Sequence, residues 1–325
     1  RMKKRVFVTK PIMKTDIELL REHFEVVVQP EERDLSREEF LEAIKGFDNV
    51  LSMLTNRIDE EVFKAAPRVK VFANYAVGYN NVDVDMASYY DVAITNTPDA
   101  LTLATAELAW GLLFAAGRHI VASDRYTRDG RFLGWDPLGF LGQSVSGKKL
   151  GIIGAGRIGQ AFGRMARGFN MELYYNSPHR KLEFERSTGA KYEDLFDLLP
   201  KVDFLAVHCP YSMHTHHLLG ERELSLMKPS SVLINTARGA IIDEAALYEA
   251  LKNKQIYGAG LDVFENEPDI YPGLLDLDNV VATSHIGSAT YESREDMSLL
   301  AASSIVDILV HNRVPGNCLN KEIFG

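Results

Sequence analysis

The sequence predicts an α/β protein built on parallel sheets, and three observations carry that expectation. Short β-branched runs alternate with amphipathic helical patterns along the chain, which is the order of βα units rather than of hairpins. With 46% apolar residues over 325 positions, the chain can fill the cores of two domains. An apolar run then ends at Gly154-Ala155-Gly156-Arg157-Ile158-Gly159, a G-x-G-x-x-G followed at once by a helical segment rich in Ala, Arg and Met. In that context Gly154 allows the tight turn, Gly156 lets the backbone approach a pyrophosphate, and Gly159 lets the helix pack on its strand. The helix N-terminus then faces the anion. The expected ligand of this stretch is a dinucleotide.

Taken in order, RVFVT (5–9), EVVV (25–28), NVLSML (49–54), KVFANY (70–75) and VAIT (92–95) read as strands of a first α/β block without a glycine fingerprint of its own. One helix between them starts at Ser36 with Glu39 three residues on, a capping box. After the breakers Asn96-Thr97-Pro98-Asp99, residues 101–120 form an apolar stretch of roughly five helical turns. Its apolarity nearly all round predicts burial. Residues 118–147 lack a periodic pattern and read as a long loop of the kind used for function or contacts. Alternation resumes from Lys149 with the fingerprint strand, then 171–176, 202–209, 231–237, 257–264 and 279–284, six strands for two mononucleotide-binding halves. A final apolar helix spans residues 291–311.

Composition narrows the partners. A formal charge of −9 leaves no basic stripe for nucleic acid, and no apolar run reaches membrane-spanning length. The basic N-terminal stretch has no apolar run of the kind a secretory signal needs. Cys209 and Cys318 are far apart and outside any C-x-x-C, so a reducing, cytoplasmic setting is expected, without disulfides.

Roughly 20 residues beyond the glycines, an acid normally binds the ribose 2′-hydroxyl of NAD. Asn176 stands there instead, followed by Ser177, His179, Arg180 and Lys181. A carboxylate would repel a 2′-phosphate and this set could hold one, so NADP(H) is favoured, with NAD(H) as the alternative. Three later residues form a constellation: Arg238 in INTARG, Glu267 in FENEP and His285 in SHIGSAT. An Arg fork can hold a carboxylate bidentately, and a His can exchange a proton at neutral pH under the influence of a neighbouring carboxylate. Together they suit reduction of a 2-oxo acid, in which one group anchors and polarises, one protonates and one tunes the proton donor. Singly, each has a structural reading: a helix cap, a turn residue, a buried ring. His214, His216 and His217 in HCPYSMHTHH read as a solvated loop, since no carboxylate or cysteine set visible in the sequence completes a site, and no metal is expected.

INTARG with GAIIDEAAL, GAGLDVFENEP and SHIGSAT, together with YAVGYNNVDVD, LTLATAELAWGLL and GIIGAGRIG upstream, resemble the linked motifs of the D-isomer-specific 2-hydroxyacid dehydrogenase family over nearly the whole chain. VGYNNVD and HIGSAT resemble its glyoxylate/hydroxypyruvate reductase branch, many of whose members use NADPH. The resemblance implies that His285 is the acid/base, Glu267 its partner, and Arg238 the group that binds carboxylate and carbonyl. It implies substrate contacts at Leu54, Val77, Gly78, Arg238 and His285. For the cofactor it implies Thr105, Arg157 and Ile158 near the phosphates, Cys209 and Pro210 beside the adenine, and Asp262 orienting the nicotinamide carboxamide, with Thr215, Thr236, Ala237, His285 and Gly287 in the same site. Ser284 departs from the family, where Pro usually precedes the histidine.

The fold implied is a Rossmann-type doubly wound cofactor domain (102–286) inserted in a smaller flavodoxin-like α/β substrate domain (1–101 and 287–325), with the active site in a cleft that closes to exclude water. The 118–147 region would be an arm packing on a second subunit in a C2 homodimer. The expected reaction is reduction of a small 2-oxo acid such as glyoxylate or hydroxypyruvate to the D-2-hydroxy acid. The competing readings are a redox-sensing, corepressor-like binding protein on the same fold and a dehydrogenase of another branch, such as one acting on 3-phosphoglycerate. The intact Arg-Glu-His set favours the enzyme.

Overall fold

A computed structural model describes residues 3–325; residues 1 and 2, the start of the basic N-terminal stretch, lie outside the described residues. The chain forms two compact units, one made of the residues up to Leu101 together with Ser288–Gly325, the other of Thr102–Gly287.

The first unit runs β1 (Arg5–Val8), α1 (Lys14–His23), β2 (Glu25–Val28), α2 (Arg37–Ala43), β3 (Asn49–Met53), α3 (Glu60–Ala65), β4 (Val71–Tyr75), α4 (Val84–Tyr89) and β5 (Ala93–Thr95). Its sheet is parallel throughout in the order β2-β1-β3-β4-β5, the flavodoxin-like winding. The capping box at α2 is present, with Ser36 Oγ accepting from the Glu39 N–H and the Glu39 carboxylate accepting from the Ser36 N–H. Phe40, Ile44, Phe63, Phe72 and Ile94 fill one side of the sheet. The chain's return closes the edge at β5: Asn320, buried, accepts from the Ile94 N–H at 2.9 Å and donates to the Val92 carbonyl at 2.8 Å. An otherwise bare strand edge is thereby satisfied.

The second unit begins with α5 (Thr102–Gly117) and α6 (Ile120–Arg128), then β6 (Lys149–Ile153), α7 (Arg157–Met165), β7 (Glu172–Asn176), α8 (Leu182–Thr188), β8 (Lys191–Tyr192) and α9 (Leu195–Leu198). It continues through β9 (Phe204–Val207), α10 (Glu221–Leu226), β10 (Val232–Asn235), α11 (Glu244–Lys252), β11 (Gly258–Leu261) and β12 (Val280–Ala282). The sheet is again parallel, in the order β12-β11-β10-β9-β6-β7-β8. Counted from β6 this is the 3-2-1-4-5-6 Rossmann winding with a seventh strand added. The seventh is β12, at the far edge; the strand not among the six expected from the sequence is β8, two residues long and too short for a periodic signal. The connection from β11 to β12 carries only a 3-10 turn (Leu274–Asp276) where a helix was expected.

The apolar stretch at 101–120 is not one helix. His119 takes a left-handed backbone at φ +54°, which ends α5 and starts α6 inside the region read as loop. α5 packs on α7, β10 and β11, and Trp110 stacks on Phe162 with centroids 4.7 Å apart while its indole N–H donates to the Phe162 carbonyl. None of the α6 residues is buried, and Phe132, Leu133, Trp135 and Leu138 beyond it are exposed. The chain returns to the first unit through α12 (Tyr291–Leu309), which starts at the Thr290 N-cap and packs on α1 and β4. Gly287, grouped with the first domain on sequence grounds, belongs to the second unit, where its N–H donates to Asp262. Among the described residues no helix is long and apolar enough to cross a membrane.

Candidate active site

The glycine turn between β6 and α7 has the steric properties a phosphate cradle needs. Gly154 sits at φ +93°, and a Cβ there would lie 2.4 Å from the Cys209 nitrogen. At Gly159 a Cβ would lie 2.0 Å from the Gly154 carbonyl oxygen, so α7 can approach β6 only without a side chain. Gly156 is the opposite case: nothing lies within 4 Å of its Cβ position. The protein does not use that space. Gly156 is also the N-cap of α7 and offers the first turn of that helix no side-chain cap. Nearby on the sheet, Thr236 Oγ1 is buried without a hydrogen-bond partner among the described residues. Open space over a helix N-terminus and an orphaned buried hydroxyl fit a bound dinucleotide. Thr105 and Gly287 face each other beside Asp262, Ile158 is half-buried at the start of α7, and Ala237 follows Thr236.

The turn after β7 is tightly organised. Asn176 donates through Nδ2 to the Glu193 carbonyl, and Ser177 Oγ donates to the His179 carbonyl at 2.5 Å. Arg180 makes a two-pronged pair with Glu185 at 2.9 and 2.5 Å, and Glu185 also accepts from the Tyr175 hydroxyl. The guanidinium is thus preset by a carboxylate that the sequence reading did not assign to it. His179 is exposed. Past β9, Cys209 is buried against the glycine turn and burial pushes its thiol up to about 11, so it packs rather than reacts. Thr215 Oγ1 donates to the Pro210 carbonyl at 2.8 Å and holds the 210–215 turn.

Arg238, Glu267 and His285 come from three segments that follow the carboxyl ends of β10, β11 and β12, and the fold brings them together. His285 Nδ1 lies 2.8 Å from Glu267 Oε2, and Glu267 Oε1 accepts from the Phe264 N–H at 3.0 Å. With Nδ1 donating to the carboxylate, Nε2 is the ring atom that can serve a ligand. Burial works against the Glu267 charge, yet the His285 hydrogen bond and charge, the Phe264 amide and the Arg238 charge outweigh it and hold the carboxyl below its ordinary range. Burial lowers the Arg238 guanidinium from its usual value while Glu267 opposes that shift.

In the first unit, the predicted substrate residues sit on a buried polar network. Asn56 Oδ1 accepts from Thr9 Oγ1 and from the Met53 N–H, both at 2.8 Å, and Asn81 Nδ2 donates to the carbonyls of Met53 and Asn56. Asn74 reaches the Gly78 carbonyl and Asn96 the Val77 carbonyl. These bonds fix the segments carrying Leu54, Val77 and Gly78. Among the described residues, the N–H groups of Val77 and Gly78 have no acceptor.

Comparison with known proteins follows the same line. Residues 110–287 match the D-isomer specific 2-hydroxyacid dehydrogenase NAD-binding domain. A glyoxylate reductase of Thermococcus gammatolerans is 48% identical, covering 99% of this chain and 97% of that protein. A glyoxylate reductase structure from Paecilomyes thermophila superposes with a TM-score of 0.87 at 32% identity, over 98% of this chain and 99% of that one. The NADPH-dependent glyoxylate/hydroxypyruvate reductase of Sinorhizobium meliloti, solved with NADP and malonate, gives 0.85 at 32% identity, over 98% and 97%. The chain belongs to the D-isomer specific 2-hydroxyacid dehydrogenase family. It is therefore an NAD(P)-dependent oxidoreductase acting on CH–OH groups.

In this dehydrogenase two residues hold the trio in place through bonds that the sequence does not display. Asn235, at the end of β10, accepts from the Ala237 N–H and donates to the Arg238 carbonyl, pinning the turn that presents Arg238. Asp262, fully buried after β11, was expected at the nicotinamide. Its carboxylate takes the Thr283 hydroxyl at 2.7 Å and the N–H groups of Ile286 and Gly287 at 2.8 Å. The segment it grips contains His285, whose backbone is left-handed at φ +57°. Only the density of these bonds, invisible in the order of residues, identifies either role.

The depressed Glu267 carboxyl carries a pH signature. Because its folded-state value lies below the unfolded one, its contribution to stability is complete above the ordinary carboxylate range, near 4.5, and is lost as pH falls through the folded value. Thermal unfolding of wild type and Glu267→Gln is expected to differ most at neutral pH, with the gap closing as pH is lowered below about 4.5. A gap that stays constant down to pH 3 would contradict the ion pair.

Proposed function

We propose that this dehydrogenase reduces glyoxylate, and hydroxypyruvate as a slightly larger 2-oxo acid, with NADPH as the preferred donor. The observation that carries the reading is the His285–Glu267 pair at 2.8 Å in electrostatic reach of Arg238, on the same sheet as the glycine cradle. The names of its relatives as glyoxylate reductases support the substrate.

The dinucleotide would be held by the α7 N-terminus over Gly156, by Thr236 and by the turn at Asn176–Arg180; it supplies one hydride from C4 of the reduced nicotinamide. His285 is assigned as the acid. As the carbonyl carbon gains its C–H bond, the π pair of the C=O bond settles on oxygen, and His285 passes its Nε2 proton there. Glu267 stabilises the imidazolium before that transfer, and Nδ1–H stays on the carboxylate throughout. Arg238 draws electron density toward the carbonyl oxygen and binds the carboxylate. The product is the 2-hydroxy acid, of D configuration where it is chiral.

NADPH preference rests on the absence of a carboxylate at Asn176 and on the Arg180 guanidinium beside it. We assign the exposed apolar stretch around Phe132, Leu133, Trp135 and Leu138, with α6, to the interface of a homodimer. Both cysteines are free and buried, in keeping with a reducing compartment such as the cytoplasm.

Replacing His285 by Ala is expected to lower kcat/KM for glyoxylate by about 10²–10⁴-fold while cofactor affinity changes little. Turnover retained at the wild-type rate would remove His285 from the proton transfer. Arg180→Asp is expected to reduce the ratio of kcat/KM with NADPH to that with NADH by at least about tenfold. An unchanged ratio would show that the turn after β7 does not read the 2′-phosphate.

A further inference from the structure

The loop after β9 holds histidines that neither the cradle nor the trio uses. The rings of His216 and His217 are stacked, centroids 3.9 Å apart and planes inclined by 17°. His217 Nε2 is hydrogen-bonded to Glu265 Oε1, on the same turn as Glu267. One donor atom from each of His216, His217 and Glu265 lies within 4.8 Å of the other two. The carboxylate that the sequence alone did not offer these histidines is therefore present, 48 residues downstream.

The stacking is built into the backbone. His217 is left-handed at φ +49°, and its N–H donates to the Ala240 carbonyl at 2.8 Å. His216 is also oriented by a hydrogen bond, and His217 has a second carboxylate nearby. His216 Nδ1 lies 3.1 Å from the Tyr211 hydroxyl, and His217 Nδ1 lies 3.8 Å from an Asp243 oxygen. A ring nitrogen steered by a hydroxyl or carboxylate, with the other nitrogen turned to a common centre, is the arrangement of metal-binding histidines.

We propose that His216, His217 and Glu265 form a binding site for one divalent first-row transition cation of the zinc class. Two imidazoles and a carboxylate select such ions over Mg²⁺ and Ca²⁺, which are held by oxygens. Bonds of about 2.0–2.2 Å would draw the three donors onto one centre, the ion taking the place of the His217–Glu265 hydrogen bond. Three protein ligands leave further positions to water, in keeping with the exposure of His216. The consequence for the enzyme is positional. A bound ion would tie the loop after β9 to the Phe264–Glu267 turn, on which Gly239 packs so closely that a Cβ would lie 1.9 Å from the Phe264 carbonyl carbon. His214, on the same loop, is outside the cluster.

The test uses the full chain, stripped with a chelator and dialysed against Co²⁺ and then Zn²⁺. One ion per chain is expected, with visible ligand-field bands for Co²⁺ that Zn²⁺ abolishes. His216→Ala, His217→Asn and Glu265→Gln should each weaken binding by at least about tenfold, and His214→Ala should not. Asn at 217 is chosen because it tolerates a left-handed backbone, and circular dichroism melts establish that each variant is folded. No binding at tens of micromolar metal, binding undiminished in His216→Ala and His217→Asn, or binding lost in His214→Ala would overturn the site. The His217–Glu265 contact would then be an ordinary ion pair near the start of α11.

Discussion

The carboxylate of Asp262 is buried to zero exposure at the end of β11, and the geometry of the proposed active site depends on what it holds. An isolated charge at that depth would cost several kcal/mol, and it persists because three donors converge on it from one short segment, Thr283 to Gly287. Those bonds have a second effect. A left-handed backbone at a residue other than glycine costs about 1–2 kcal/mol, and His285 is held there by the bonds on either side of it. The same Asp262 residue accepts the His285 N–H on its carbonyl at 2.9 Å, so side chain and main chain act together. The imidazole is aimed by the fold before any ligand arrives, which is what preorganised catalysis requires.

Neighbouring strands repeat the device with different chemistry. On β10 an amide replaces the carboxylate, and Asn235 grips the Ala237–Arg238 turn with both ends of its side chain. Gly239 then lets that turn lie directly on Phe264 and Glu265. Glu267 completes the set by bonding back to the Phe264 amide with one oxygen and to His285 with the other. The three proposed catalytic groups are thus fixed by hydrogen bonds to sheet ends, where a parallel α/β fold presents ligand-facing loops. The first unit follows the same logic, with Asn74 and Asn96 holding the carbonyls of Gly78 and Val77.

What could be read from the sequence was whatever leaves a periodic or steric trace in it. The two parallel sheets follow from alternating runs, and the three glycines of the cradle have the positive φ, the open space and the close helix approach that their spacing suggests. β8 escaped because Lys191–Tyr192 is a single period of alternation long, and α6 because only the left-handed backbone at His119, which the sequence does not mark, separates it from α5. The positions of Arg238, Glu267 and His285 were legible through their motifs, whereas the bonds that aim them were not. A buried Asp after a strand looks the same in one dimension whether it faces a ligand or clamps a loop. Arg180 with Glu185 and His217 with Glu265 show the same limit: the charges were visible, and their pairing was decided by tertiary structure.

The central claim is direct hydride delivery to one defined face of the carbonyl carbon of a 2-oxo acid, with the proton supplied to its oxygen. Its most direct test is reduction of hydroxypyruvate with NADPH deuterated at nicotinamide C4 on the transferred face, followed by mass and chiral analysis of the product. The account predicts D-glycerate carrying one deuterium at C2. Product of L configuration, or D-glycerate without label at C2, would contradict it.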